Sequence, residues 1–336
     1  MFALGRHVGS DCKMKHLDLE ILDQRASGKK IRFALNKDRH DHYFDRIRSG
    51  DGPQAIVKLL LSLSSKGDAV IDAGANVGTV AAPLAAKGRR VLAIEAMAEN
   101  YVMLLETAVV NDLDGLVPVH AAITDAPGLL EITGTSAFAR VVVNDSPGST
   151  PGVTLDALTK VHGFREATVM KLDVEGSELD AIEGATKLLA SSKLRHVVYE
   201  ANGAHCERVG YRPMDIADAF RARGFEVFTL HEKKMVPVDK MAFQALGNTD
   251  CIASRPGESR PSGYSVGEID LDAQAAGVVA ALTHANHGYR RFMVGELAHA
   301  PSSVVAEASV SEALGNLSDD DQVAVPTRDA AAALLA

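Results

Sequence analysis

Residues 69–78 read AVIDAGANVG, and the fold is decided by this stretch. Ala69, Val70 and Ile71 form a short apolar run that Asp72 ends, and a glycine turn follows at once, as when a buried parallel strand feeds a helix. Gly74 permits the sharp turn. Asn76, Val77 and Gly78 are expected to open a helix whose first N–H groups lack partners, offering a ligand donors and the positive end of a dipole. A dinucleotide fingerprint wants a second glycine where this chain has Asn76, because the backbone must approach a pyrophosphate there. Asn76 therefore points to a nucleoside ligand without that group. Downstream, VLAIEA (91–96) is a second apolar run ending in Glu95, whose two oxygens can accept from both hydroxyls of a ribose. Strand, glycine turn, helix, strand and acid in this order suit S-adenosylmethionine. A glycine turn that serves tight packing alone is the plain alternative.

The chain has 336 residues, 46% of them hydrophobic, enough for one large α/β domain with additions or for two smaller domains. A formal charge of -9 without a long basic run argues against a nucleic-acid partner and favours small neutral or cationic ones. Cys12, Cys206 and Cys251 are far apart and in no C-x-x-C pair, so neither a disulfide framework nor a zinc knuckle is indicated. No basic segment leads into an apolar signal core, and no apolar run is long enough to span a bilayer. A cytoplasmic protein without a membrane partner is the expectation.

Before the glycine turn, IRFAL (31–35) is the one convincing apolar alternation, and a helix is expected from KDRHDHYFDRIRSG (37–50). His40 and His42 beside Asp38 and Asp41 read as a solvated face rather than a metal site, since residues two apart on a helix do not face each other. Gln54–Leu63 gives an apolar helical face to cover the sheet. After Gly78 the helix should run to about Lys87, with Pro83 bending its middle. Glu99–Val110 follows as an amphipathic helix, and LVPVHAAI (116–123) as a third strand. LEITG (130–134) and ARVVVND (139–145) read as extended pieces of a longer connection that forms part of a substrate wall. The alternation of strand and helix implies a parallel sheet with helices on both faces.

The second stretch with chemical content is ATVMKLDVEGSELDAIEGA (167–185). Thr168–Leu172 makes a buried strand with Asp173 at its tip, and Gly176 and Ser177 start a helix that carries Leu179, Ile182 and Ala185 inward. Asp173 and Glu175 then stand at the carboxyl edge of the sheet, where open α/β sheets bind ligands. For Glu175, capping the helix is an equal alternative. HVVYEAN (196–202) is a fifth strand that brings Glu200 and Asn202 to the same edge. Asp173, Glu200 and Asn202 could offer oxygen ligands to magnesium, but such residues more often bond substrate or loop, and no metal is assigned. His205 is a candidate general base, against the plain reading of an exposed loop histidine. Met214–Arg223 is a helix, GFEVFTL (224–230) a sixth strand and NTDCIAS (248–254) a seventh, with KKMVPVD (233–239) between. So short a connection lets the last two strands pair antiparallel. The expected fold is α/β, a Rossmann-like methyltransferase fold with a seven-stranded, mostly parallel sheet and an antiparallel last strand.

Residues 42–254 resemble the FkbM family of methyltransferases. The resemblance lies in DRIRSG (45–50), VIDAGANVGT (70–79), AIEA (93–96), VTLDAL (153–158) and, most distinctively, KLDVEGSELDAIEGA (171–185). It implies methyl transfer from S-adenosylmethionine, most often to a hydroxyl oxygen of a polyketide, sugar or related metabolite. Carried onto this chain, it gives Asp72, Gly74, Asn76, Gly78, Glu95, Ala96, Ala122 and Asp173 as cofactor-binding positions and Asp173, Glu200 and His205 as catalytic candidates. The chain departs from the family in having Ala96 where proline is common, Gly50-Asp51-Gly52-Pro53 where a glutamate is common, and its histidine displaced to His205. Residues 1–48 are then an N-terminal extension, 49–254 the methyltransferase domain, and 255–336 a linker with an Ala-rich tail, in which a helix is expected near Leu271–Leu282. A small-molecule or glycan acceptor is the expected partner, and a homodimer is compatible with the tail. Two alternatives are a nicotinamide-dependent oxidoreductase, against which Asn76 argues, and a catalytically silent nucleoside-binding module, against which Asp72, Glu95 and Asp173 argue.

Overall fold

The computed structural model describes residues 17–133, 140–143, 150–231, 233–238 and 249–267. Strands β1 (Leu19–Ala26) and β2 (Lys29–Asn36) form a hairpin whose two turn residues, Ser27 and Gly28, both take positive φ, as a tight hairpin turn demands. Ile31, Phe33 and Leu35 alternate inward from β2. Helix α1 (His42–Ser49) is capped by the Asp41 side chain, which accepts from Phe44 N, and stopped by Gly50 in the left-handed region. Helix α2 (Gln54–Leu63) buries Val57, Leu60 and Leu63 along one stripe.

The central alternation follows: β3 (Ala69–Ala73), α3 (Ala81–Ala86), β4 (Arg90–Glu95), α4 (Ala98–Val110) and β5 (Leu116–His120). The hairpin rests on α4, where Thr107 Oγ1 accepts from Ala34 N at 3.0 Å and Asn111 Oδ1 from Arg32 N at 2.8 Å, so the open edge of β2 is closed by side chains. Two expectations are corrected here. The helix after the glycine turn begins only at Ala81, and the N–H groups of Asn76 and Gly78 already have partners, Glu95 Oε2 and Ala75 O, each at 2.9 Å, as do those of Gly74 and Ala75, which donate to Ile94 O at 3.0 and 2.9 Å. Pro83 is the third residue of α3, in the first turn, where no intrahelical N–H is needed, so it bends nothing.

The run expected as a single third strand breaks at Ala121. Its end, β6 (Ala122–Ile123), joins β7 (Gly128–Thr133), β8 (Arg140–Val143) and β9 (Thr150–Val153) in a second sheet ordered β6-β9-β7-β8. Then come α5 (Leu155–His162), β10 (Val169–Leu172), α6 (Glu178–Glu183), α7 (Thr186–Ala190), β11 (His196–Ala201), α8 (Gly203–Val209), α9 (Pro213–Ala222), β12 (Glu226–His231), β13 (Lys234–Pro237), β14 (Thr249–Ser254) and β15 (Ser265–Val266).

The main sheet runs β15-β13-β12-β14-β11-β10-β3-β4-β5. Strands β11, β10, β3, β4 and β5 are parallel, and β14 is antiparallel to both its neighbours. The seven expected strands are β12 to β5; β13 and β15 extend one edge, giving nine in all. Ile71, Met170, Leu172 and Tyr199 face a core shared with Leu155, Ile182 and Phe220, while Val70, Val91, Val169 and Val198 face one shared with Leu60, Leu84 and Phe33. Helices thus cover both faces, and the parallel strands read as unbroken apolar runs because neither face meets water. This is the Rossmann-like methyltransferase fold. Among the described residues no helix is long and apolar enough to cross a membrane. Cys12 and the helix expected near Leu271–Leu282 lie outside the described residues.

Candidate active site

The carboxyl ends of β3, β4, β10 and β11 open into a cleft of about 300 Å³, the lower end of the range in which small-molecule pockets fall. Gly74, at φ 83°, is what lets its walls meet: a Cβ there would lie 1.7 Å from the Asp173 carbonyl oxygen. Asn76 also takes positive φ, at 51°, and its N–H donates to Glu95 Oε2 at 2.9 Å. Met97 N donates to Glu95 Oε1 at 2.8 Å, and the Asn100 amide lies 3.4 Å from the same oxygen. Burial raises the Glu95 pKa even so. Glu95 is therefore a packed group that holds the turn as well as a wall of the cleft. Asn76 Oδ1 is buried and has no hydrogen-bond partner, the condition of an acceptor waiting for a ligand. Ala96 and Ala122 line the same wall, and Ala96 O accepts from Thr150 Oγ1 at 3.1 Å. Asp72 and Gly78 do not line it. Gly78, at φ 90°, sits where a Cβ would meet Leu104, and Asp72 is wholly buried below the turn.

Below the cleft lies a residue the sequence reading missed. Lys171 stands directly across the parallel ladder from Asp72. Its Nζ is 3.5 Å from Asp72 Oδ1 and 3.0 Å from Asp173 Oδ2, and donates to Gly74 O at 3.2 Å. Burial works against the Lys171 ammonium, but the Asp173 and Asp72 carboxylates outweigh it and raise its pKa. For Asp72 burial dominates and the pKa is raised despite Lys171. The available signal was a lysine inside the otherwise apolar strand VMKL, because a buried charge requires partners.

The far end of the cleft is acidic. Asp173, Glu175, Glu200 and Asp250 line it, with Glu200 and Asp250 paired across the antiparallel β11–β14 ladder. Glu175 does not cap α6. Glu178, the first residue of α6, instead fastens the preceding turn, accepting from Val174 N and Gly176 N, each at 3.1 Å, and from Tyr211 Oη at 2.8 Å. Ile182 and Ala185 are buried as expected, whereas Leu179 is only half-buried. His205 is on α8 rather than in an exposed loop, behind Glu175 instead of on the cleft wall, with Nδ1 2.9 Å from Glu175 Oε2 and 3.9 Å from Glu200 Oε2. Of the three residues considered for magnesium, Asn202 caps α8 by accepting from Ala204 N and His205 N, Asp173 is paired with Lys171, and Glu200 lines the cleft. In VTLDAL, Asp156 accepts from Lys187 N and Leu188 N at 2.8 Å each, so this motif acid caps α7 and lies outside the chemistry.

Residues 72–227 match the family model of the methyltransferase FkbM domain. The matched stretch runs from the end of β3 into β12. The chain is 28% identical over 152 residues to the hexuronic acid methyltransferase AglP of Haloferax volcanii, a match covering 44% of this chain and 62% of that protein. It thus spans less than two thirds of the length of this curated relative. Solved structures similar to it include precorrin-6y C5,15-methyltransferase of Geobacter metallireducens, at 11% identity over 60% of this chain and 86% of that one, with a TM-score of 0.36. A TehB-like SAM-dependent methyltransferase of Corynebacterium glutamicum is similar at 12% identity over 63% and 94%, with a TM-score of 0.39. Within the matched stretch lie Asp72, Glu95, Lys171, Asp173, Glu175, Glu200 and His205. The matched family is one of methyltransferases and not of nicotinamide oxidoreductases.

Proposed function

We propose that residues 49–254 transfer a methyl group from S-adenosylmethionine to a hydroxyl oxygen of a small molecule or glycan. The observation that carries this reading is the split character of the cleft, a nucleoside-sized cradle at one end and a row of carboxylates at the other. The cradle fits the donor: Asn76 offers an orphaned buried oxygen, and Glu95 keeps lone pairs beyond those its two backbone donors use. Asn76, Glu95, Ala96 and Ala122 would hold the nucleoside, with Gly74 keeping the turn clear and Asp173 facing the cationic end. When bound, S-adenosylmethionine supplies a sulfonium whose methyl group is already activated.

The chain's own residues then have two tasks, to align the acceptor oxygen and to remove its proton. Alignment can supply about 7 kcal/mol or more, and a positioned base adds roughly a hundredfold or more. Asp173, fixed by Lys171, would orient the acceptor hydroxyl, with Glu200 beside it. Among the described residues lining the cleft, Lys171 is the cation, and it is already paired with Asp72 and Asp173. A carboxylate nucleophile would be repelled by this rim, and a neutral hydroxyl would not. The name of the Haloferax relative supports a sugar as the acceptor class.

The test is labelled methyl transfer to paired methyl glycosides and methyl uronosides. Alkali-stable ether products, with the neutral sugars preferred by roughly tenfold or more, are expected; alkali-labile methyl esters would overturn the hydroxyl assignment. For the cradle, Glu95→Gln should weaken S-adenosylmethionine binding by about 1.5 to 3 kcal/mol, the worth of a charge-assisted hydrogen bond, as read by calorimetry. Because Glu95 also anchors the N–H groups of Asn76 and Met97, the thermal midpoint should fall as well. An unchanged affinity would remove Glu95 from the binding group.

A further inference from the structure

We propose that Glu175 is the catalytic group that accepts the acceptor hydroxyl's proton, with His205 as the positioning residue behind it; this rests on the methyl-transfer reading above. Glu175 lines the acidic end of the cleft on a backbone held at φ 57°, in the left-handed region where a non-glycine residue stays only if its surroundings force it. They do force it. Arg208 Nη2 donates to Glu175 O at 2.7 Å, and the next residue, Gly176, at φ 104°, lies so close to α8 that a Cβ would come 3.2 Å from His205 O. Strain retained beside a cleft is a mark of a functional position.

The side-chain arrangement points the same way. Glu175 Oε2 and His205 Nδ1 are 2.9 Å apart yet out of line for a hydrogen bond, and both atoms are shielded from solvent without a hydrogen-bond partner. Such a pair aligns when a substrate closes the site. The imidazole's orientation is already set. Asn202 Oδ1 is occupied by Ala204 N and His205 N, which turns its Nδ2 toward His205 Nε2 at 3.3 Å. Nε2 is then the acceptor nitrogen, and in a neutral imidazole the hydrogen sits on Nδ1, facing Glu175. Burial and Arg208 lower the His205 pKa against the pull of Asp173, which keeps it neutral at pH 7.

The groups around Glu175 are Lys171 and Asp173 at the end of β10, Glu178 on α6, Glu200 on β11, and His205 and Arg208 on α8. Burial, then Asp173, Glu200 and Glu178, push its pKa up to about 8 against Lys171. A base near the working pH can both hold and release a proton. Asp173 is less suited to the role because Lys171 sits 3.0 Å from its Oδ2. In the transfer step the acceptor O–H proton goes to Glu175, the freed oxygen pair forms the new O–CH₃ bond, and the pair of the broken C–S bond stays on the donor's sulfur.

The experiment compares wild type, Glu175→Gln, His205→Ala and His205→Asn. Infrared difference spectra recorded against pH should show a protonated carboxyl band that disappears with a midpoint near pH 8 in the wild type and is missing from Glu175→Gln. Calorimetry should give all four proteins the same S-adenosylmethionine affinity within about twofold. With methyl glycosides as probes and saturating donor, Glu175→Gln should lose roughly a hundredfold or more in rate and the rise in rate through pH 8. His205→Ala should displace the midpoint, and His205→Asn, which keeps a donor near Nδ1, should restore part of the rate. Absence of the carboxyl band, a Glu175→Gln rate near wild type, or a rate abolished by EDTA and restored by a divalent ion would overturn the proposal. A wild type that gives no heat with S-adenosylmethionine would instead overturn the transfer reading itself, and the infrared band would still report on Glu175.

Discussion

Gly74→Ala is expected to destabilise the domain strongly and to abolish ligand binding. The added Cβ would stand 1.7 Å from the carbonyl oxygen of Asp173, a backbone atom that has no rotamer to turn away into, and the residue would have to hold φ 83°. Overpacking of a rigid site costs about 1–3 kcal/mol, and a non-glycine residue in the left-handed region roughly 1–3 more. Together these come to about 2–6 kcal/mol, a large share of the roughly 5–15 kcal/mol that holds a typical domain folded. Urea denaturation and S-adenosylmethionine calorimetry would read both effects. Gly52→Ala is the control, since a Cβ there meets nothing within 4 Å. A Gly74→Ala protein with wild-type midpoint and affinity would show that the β3 turn and the β10 tip do not meet as described.

Lys171→Met should be nearly as damaging, for an electrostatic reason. Methionine preserves the aliphatic stem but leaves Asp72, wholly buried, and Asp173 without the ammonium that lies 3.5 and 3.0 Å from them. Removing one partner from a buried ion pair costs about 3–5 kcal/mol, because the remaining charge stays desolvated. The loss should depend on pH in a definite direction. The Asp72 pKa is already raised by burial and would rise further without Lys171. A carboxyl whose folded pKa lies above its unfolded value binds its proton more tightly in the folded state, so stability grows as pH falls through the folded value. The gap between Lys171→Met and wild type should therefore be widest at neutral pH and narrow on acidification. Urea midpoints at pH 7 and pH 5 would check this; equal midpoints at pH 7 would mean that Lys171 carries no part of the floor.

Much of this site was legible along the chain. AVIDAGANVG gave a buried strand, a positive-φ turn and a polar residue where a pyrophosphate-binding glycine would stand, and all three are found. Glu95 was recognisable because an acid closing an apolar strand must sit at the sheet edge, and it does line the cleft. Of the N–H groups thought to be free, those of Asn76 and Gly78 were not. Whether Asn76 N–H has a partner depends on Glu95, about twenty residues away, and hydrophobic periodicity carries no record of which acceptor lies opposite.

What the sequence by itself determined was the seven central strands, the helices α1 to α4, α6 and α9, and the tips at which a polar residue stops an apolar run, because burial on one or both faces writes a pattern over neighbouring residues. What only the tertiary structure decided was which tips face one another. Lys171 meets Asp72 across a ladder between strands nearly a hundred residues apart, and Glu175 meets His205 through a strained turn laid against α8. Those pairings set the charge of the cleft floor and the protonation of its rim. They arise from strand order and close backbone approach, which act between distant segments and leave no periodic trace in either one.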